Sequence, residues 1–226
     1  MGWALDNLSL IGALTLDHLR QSLMAIASGF ALSLPLGWAA WRYKRIRAVV
    51  LTGTGLLYTI PSLAMLLILP LIIGFPATSE INLVVALTIY AIAIMVQSVA
   101  DGLSSVDPNT RRAAMALGYG PVRRFWAVDL PLAGPVIVSG LRVAAVSTIA
   151  LATVGILVGV TNLGYLFTNG LQRRIIAEVF TGLVVVTLLA LVIDQLIVAA
   201  GRLLMPWTRG SRAVARSRSR SKDLSA

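Results

Sequence analysis

Long apolar runs constrain this 226-residue chain more than any other feature of its sequence. A helix needs about 20 mostly apolar residues to cross a bilayer. Because lipid offers the backbone no hydrogen-bond partners, each such run is predicted to be a helix. The predicted spans are residues 18–41, 48–74, 83–100, 132–158 and 176–201. The sequence therefore predicts an all-α membrane protein with about five spans, or six if 48–74 divides at Pro61.

The composition supports this class and excludes several kinds of site. The chain is 58% hydrophobic and 12% charged, whereas soluble domains are about a quarter charged. With no cysteine and a single histidine, His18, neither a disulfide framework nor a thiolate or histidine-cluster metal site is expected. The net charge of +10 lies in short segments between the apolar runs and in the tail, so no nucleic-acid partner is predicted.

The two ends differ from the transmembrane domain, residues 18–201. Residues 1–17 are predicted to be a lead-in, with at most an interfacial helix. They lack the basic start of a secretory signal, so the first apolar run is expected to remain as a span. Residues 202–226 are rich in Arg and Ser and are predicted to be a disordered, basic cytoplasmic tail next to membrane lipid.

The distribution of positive charge predicts the orientation. Residues 42–47, 101–131 and 202–226 together hold 15 of the 19 lysines and arginines. Positively charged loops stay in the cytoplasm. The N-terminus is therefore predicted to be outside and the C-terminus inside.

The longest polar interruption, residues 101–131, has its own local signals. Asp107 can cap a helix that begins at Pro108, and Gly118 can end that helix in a left-handed turn. A second short helix can begin at Pro121 and is expected to stop before Pro131. Two short helices are thus predicted outside the lipid.

This segment resembles the signature loop of bacterial ABC-importer permeases. The family pattern is Glu-Ala-Ala, three residues, Gly, nine residues, Ile, one residue and Leu-Pro. The residues at these spacings are Ala113, Ala114, Gly118, Val128, Leu130 and Pro131. Val128 replaces the Ile, and Arg112 stands where the family has Glu.

The resemblance implies the type I importer permease fold, with this loop as the cytoplasmic coupling helix that docks into a separate ATPase. The expected coupling residues are Arg112, Ala113, Ala114, Met115, Leu117, Gly118, Leu130 and Pro131. The two alanines allow close approach, and Met115 and Leu117 are suited to enter a groove.

Further segments resemble permeases for osmoprotectants such as glycine betaine, carnitine and choline. They are His18, Pro35-Leu36-Gly37, Tyr58 to Ala64 and Gly159 to Gly164. The resemblance implies a permease in the bacterial cytoplasmic membrane. Its expected partners are a second permease (the same chain or a sister), ATPase subunits and an extracytoplasmic solute-binding protein. Since the chain has no Walker-type motif, no catalytic residue or cofactor is predicted, and ATP hydrolysis falls to the ATPase.

Three alternatives remain open at this point. The same architecture can serve another small solute, such as an amino acid or methionine. An ion-coupled secondary transporter is less favoured, because Asp194 is a single intramembrane acid and no internal repeat is evident. A membrane scaffold would leave the signature loop unexplained.

Four mid-span residues are candidates for the translocation path: Tyr58, Pro61, Ser62 and Tyr90. Aromatic rings attract a quaternary ammonium group by cation–π contact, and a Pro-Ser pair frees backbone carbonyls that can line a cavity. Plain packing is the alternative for each of them.

Arg142 and Asp194 are predicted to form an ion pair within the membrane. At 1.5 Å per residue, they lie roughly 15 and 10 Å from the inner ends of their spans. The alternative is that each side chain reaches the inner interface separately.

Overall fold

The computed structural model describes residues 2–207, and all regular structure in that range is helical. The elements are α1 Gly2–Asp6, α2 Leu8–Arg42, α3 Lys44–Thr59, α4 Ser62–Ile73, α5 Glu80–Ser104, α6 Pro108–Ala116, α7 Pro121–Arg124, a π-helical segment Phe125–Asp129, α8 Leu130–Ala152, a 3₁₀ segment Thr153–Val158, α9 Gly164–Gln172 and α10 Ile176–Leu204. Most of the predicted tail lies outside the described residues, although α10 continues three residues into it.

Helix α5 is the centre of the bundle. It packs against α2, α3, α4 and α8, and its side chains Leu83, Met95 and Leu103 are fully buried. The contact with α2 is close because Gly29 faces Ala91: a Cβ at Gly29 would lie 2.5 Å from the Ala91 Cβ. Backbones that approach this closely are typical of helix packing in membranes.

The first long helix extends beyond the predicted span. Helix α2 begins at Leu8 rather than at residue 18 and continues through Pro35 to Arg42. No residue between Leu8 and residue 18 breaks a helix. Leu14 is buried against Leu163 and Leu166, which lie around the start of α9. This contact holds the extra turns of α2, so residues 8–17 belong to the first long helix.

The predicted span 48–74 is sharply broken. Helices α3 and α4 meet at 110° around Ile60 and Pro61. Each is shorter than the ~20 residues that cross a bilayer, so the six-span alternative does not fit. Within residues 2–207, four helices are long and apolar enough to span a membrane, and the bent pair makes five spans if it counts as one.

The helix that begins at Pro121 does not stop before Pro131, so that prediction was wrong. Residues 121–158 form one continuous helical stretch. Proline removes a donor, and in an α-helix its ring clashes with the carbonyl four residues back. The π turn just before Pro131 is wider than an α turn, so the carbonyl four residues before Pro131 is displaced from its α-helical position. In this turn the Leu130 N–H donates to the Phe125 carbonyl five residues earlier.

Candidate functional site

The signature loop begins with a capped helix and a left-handed glycine. Asp107 Oδ1 accepts a hydrogen bond from the Asn109 N–H at 2.8 Å, which caps α6. Gly118 has a φ of +80°, and the Tyr119 N–H reaches back to the Ala114 carbonyl at 3.1 Å. This is a Schellman end to the helix. The predicted cap and turn are both present.

The loop carries four exposed apolar side chains, and two of them, Val122 and Trp126, line a groove beside Pro35 and Trp38 of α2. We define the tip as Met115, Leu117, Val122 and Trp126, each more than half exposed, with Leu117 at 78%. Exposed apolar patches are typical of surfaces that contact another protein or a membrane.

The other predicted coupling residues divide between the surface and the interior. Arg112 and Ala113 are exposed, whereas Ala114 is buried within the chain. Arg112 forms no ion pair with any described residue. Leu130 and Pro131 lie within the helix that enters the membrane and do not reach the tip.

A buried cluster around Asp129 anchors the loop, and the sequence analysis missed it. Asp129 is 1% exposed. It accepts hydrogen bonds from Arg111 Nε at 2.6 Å and from Arg124 Nε at 3.2 Å. One signal was available, since Asp129 is the only acidic residue between Pro108 and Pro131, a segment with four arginines.

Arg111 extends this cluster to two other helices. It donates to the Leu103 carbonyl near the end of α5, and its guanidinium carbon lies 4.8 Å from the centroid of the Trp41 ring near the end of α2. Arg111 also bonds Asp129, which directly precedes α8. The Arg111 side chain thus joins α6 to three long helices, α2, α5 and α8. We call Arg111, Arg124 and Asp129 the loop anchor.

The candidate path residues meet at the break between α3 and α4. The Tyr58 and Tyr90 rings make an edge-to-face contact with centroids 6.2 Å apart. Tyr90 is buried, and its hydroxyl donates to the Ile60 carbonyl at 2.5 Å, which gives this carbonyl a partner at the break between the two helices. Tyr58 and Pro61 are exposed and Ser62 is half-buried. Of the two rings, only that of Tyr58 is available to a solute.

Arg142 and Asp194 lie together between α8 and α10. Arg142 donates from Nε to Asp194 Oδ1 at 2.7 Å and from Nη2 to Oδ2 at 2.9 Å. Gln195 adds a bond to Oδ2 at 3.2 Å. This bidentate geometry is the strong form of an arginine–carboxylate pair.

The segments near His18 and Asn162 meet in a buried polar network at the outer end. His18 Nε2 lies 2.9 Å from the Ile149 carbonyl oxygen. The Asn162 amide donates to Gln21 Oε1 at 3.0 Å and to the Ala152 carbonyl at 2.8 Å. The network joins α2 to the loop that follows the 3₁₀ segment. Within residues 2–207, no group of three acidic or histidine side chains is placed to hold a metal ion.

Known proteins are similar in sequence to most of this chain. Residues 29–210 match the family described as "Binding-protein-dependent transport system inner membrane component". The osmoprotectant import permease protein OsmW of Salmonella typhimurium is 32% identical over 198 residues, covering 86% of this chain and 92% of OsmW. The choline transport system permease protein OpuBB of Bacillus subtilis is 31% identical over 192 residues, covering 85% and 87%.

Solved structures show the same fold. The MetNI methionine ABC transporter in an inward-facing conformation matches with a TM-score of 0.79 at 19% identity, covering 88% of this chain and 98% of the other. A likeness at this identity supports the fold alone. From the match over residues 29–210 and the relatives above, the chain belongs to the binding-protein-dependent transport family of inner membrane components, the non-catalytic, multi-pass permease subunits of ABC importers.

Proposed function

We propose that this permease forms the path for a small quaternary ammonium osmoprotectant, such as glycine betaine, choline or carnitine, and that residues 107–127 receive the motion of its ATPase. Relatives whose names specify osmoprotectants or choline support the solute class. The exposed ring of Tyr58 at the helix break supplies a surface that attracts such a cation.

The loop anchor and the apolar tip carry the coupling part of the proposal. The tip offers apolar side chains to a partner groove, and the anchor fixes the loop to α2, α5 and α8. A force on the tip therefore acts on three long helices through one buried cluster. ATPase subunits docked at the tip, a second permease and an extracytoplasmic solute-binding protein would complete the importer.

Methionine or another amino acid is the competing solute class within the same architecture. It rests on the structural likeness to a methionine transporter, which is only 19% identical. An ion-coupled mechanism is set aside, because the chain belongs to a family of ABC-importer permeases. Uptake of labelled glycine betaine in competition with methionine separates the two solute classes.

Two left-handed glycines provide a matched test of the coupling role. Gly118 has a φ of +80° in the loop and Gly74 a φ of +85° after α4; at both, an added Cβ meets nothing within 4 Å. An aspartate at either position costs roughly 1–2 kcal/mol for the left-handed backbone. Only Gly118 lies beside the tip.

We expect Gly118→Asp to insert at normal levels but to lose its ATPase on purification and to import no solute. Gly74→Asp should keep both the ATPase and uptake. A Gly118→Asp importer that co-purifies with the ATPase and transports normally would show that this loop is not the coupling element.

A further inference from the structure

An apolar groove of about 460 Å³ lies between the second half of α2 and the segment formed by α7 and the π turn. Aliphatic, proline and aromatic side chains make up its walls. Those that carry the argument are Ala31, Pro35 and Trp38 on α2, and Val122, Phe125 and Trp126 on the opposite wall. Val122 and Trp126 are 74% and 61% exposed, so the groove is open on its outer side.

The groove has the depth of one leaflet of a bilayer. Helix α2 ends at Arg42. By helix rise, Trp38 lies about 6 Å and Ala31 about 16 Å before that end. The hydrocarbon core of a bilayer is about 30 Å thick, so one leaflet takes up about half of it. In the predicted orientation, the groove therefore runs from the inner interface to near the middle of the membrane, which is the depth of one acyl chain.

A row of aromatic rings lies at the interfacial end of the groove. The Trp38 ring meets Tyr43 edge to face at 6.1 Å between centroids and meets Phe125 at 6.4 Å. Trp126 in turn lies 5.2 Å from Phe125. Tryptophan and tyrosine are enriched where a membrane meets water. This end of the groove therefore lies at the level of the lipid headgroups.

The segments that border this end carry exposed positive charge. The cations are Arg42, Lys44, Arg45 and Arg123. The Arg42 guanidinium carbon lies 5.6 Å from the centroid of the Tyr43 ring, which itself contacts Trp38. Arg123 directly follows Val122 of the groove wall. None of the four cations forms an ion pair with another residue in the described range 2–207.

Charge and depth together select the occupant. A second copy of this chain would bring the same four cations to the contact, and like charges repel. The proposed ATPase lies outside the lipid and does not reach the depth of Ala31. An anionic phospholipid supplies both an acyl chain for the apolar walls and a phosphate for the cations.

We propose that this groove binds an anionic phospholipid of the inner leaflet. One acyl chain packs against Trp38 and Trp126, and the phosphate lies at Arg42 and Arg123. The bound lipid fills the space between α2 and the loop. This site takes no part in the solute path or in the contact of Met115 and Leu117 with the ATPase, so it goes beyond the proposed function.

The test uses phosphatidylglycerol and phosphatidylcholine that carry the same photoreactive diazirine in the acyl chain. Each is added to proteoliposomes holding the whole importer, and labelled peptides are identified by mass spectrometry after illumination. Because one cation near an anionic lipid strengthens binding about fivefold, phosphatidylglycerol should label residues 31–38 and 121–126 at least about fivefold more than phosphatidylcholine. Both lipids should label the exposed leucines of α10 equally: Leu183, Leu188 and Leu191.

A pair of double variants isolates the contribution of the cations. Arg42→Gln with Arg123→Gln removes the two arginines beside the groove. Arg173→Gln with Arg174→Gln is the matched control, because it removes two exposed arginines from the turn between α9 and α10. The first double variant should lower the preference for phosphatidylglycerol to below about twofold, and the control should keep the wild-type preference.

Three results would overturn the proposal. Equal labelling of the groove by the two lipids in the wild-type importer is the first, and it needs no variant. The second is an unchanged preference in the variant of Arg42 and Arg123. The third is labelling of the groove no stronger than that of α10 with either lipid, as expected if another subunit covers the groove. Labelling requires neither uptake nor ATPase retention, so these results stand apart from those of Gly118→Asp.

Discussion

Asp194 and Asp129 both accept hydrogen bonds from arginines of other elements, but they join different kinds of structure. Asp194 receives a bidentate bond from Arg142 between α8 and α10, two long helices that also pack directly against each other. Asp129 receives bonds from Arg111 and Arg124 and holds α6, a nine-residue helix that packs mainly against the segment following it.

The difference lies in what else holds the joined elements. If the Arg142–Asp194 pair is lost, apolar packing still keeps α8 beside α10. If Asp129 is lost, α6 loses its bonds to the start of α8 and keeps the contacts of Arg111 with the Leu103 carbonyl and the Trp41 ring. We therefore expect the first site to matter mainly for folding and the second for the proposed transfer of motion.

The largest effect is expected from Asp129→Ala. It leaves two arginines without their buried acceptor, and breaking a buried pair costs about 3–5 kcal/mol. We expect uptake per inserted permease to fall by more than about tenfold. A tenfold loss corresponds to a free-energy change well below the cost of breaking the buried pair. ATPase retention should fall with it.

Asp107→Ala is the control in the same loop, because it removes only the cap of α6, worth about 1 kcal/mol. It should keep most of the uptake. Wild-type uptake in Asp129→Ala would show that coupling does not depend on the loop anchor.

A smaller effect on transport is expected at the other site. Arg142→Ala and Asp194→Ala should each lower the folded yield, since each leaves one charge within the membrane without its partner. The double mutant should recover part of that yield, and uptake per folded molecule should stay near wild type in all three. Strictly additive losses of yield would show that the two residues do not act as a pair.

Local signals explain which features were predictable from sequence. The cap at Asp107, the start at Pro108 and the turn at Gly118 depend on residues within a few positions of one another, and all three are present. The fold class was predicted from hydropathy and was confirmed by the family match and the solved structures.

Contacts between distant residues were not predictable in the same way. The Tyr90 hydroxyl satisfies a carbonyl 30 residues away, and the anchor residues Arg111 and Asp129 are 18 residues apart. The continuation of the helix through Pro131 was not predicted, because a π turn depends on geometry that residue propensities do not encode. The start of α2 was missed because Leu14 is held by residues about 150 positions later.

The most direct test of the account asks what lies against the apolar tip. Leu117→Cys, at a side chain 78% exposed, is compared with Leu171→Cys, 76% exposed at the predicted outer end. After treatment with a short thiol crosslinker, Leu117→Cys should link to the ATPase, and Leu171→Cys should not. From outside the cell, a membrane-impermeant maleimide should label only Leu171→Cys. Labelling of Leu117→Cys from outside, or an ATPase crosslink at Leu171→Cys alone, would contradict both the orientation and the coupling role of the loop.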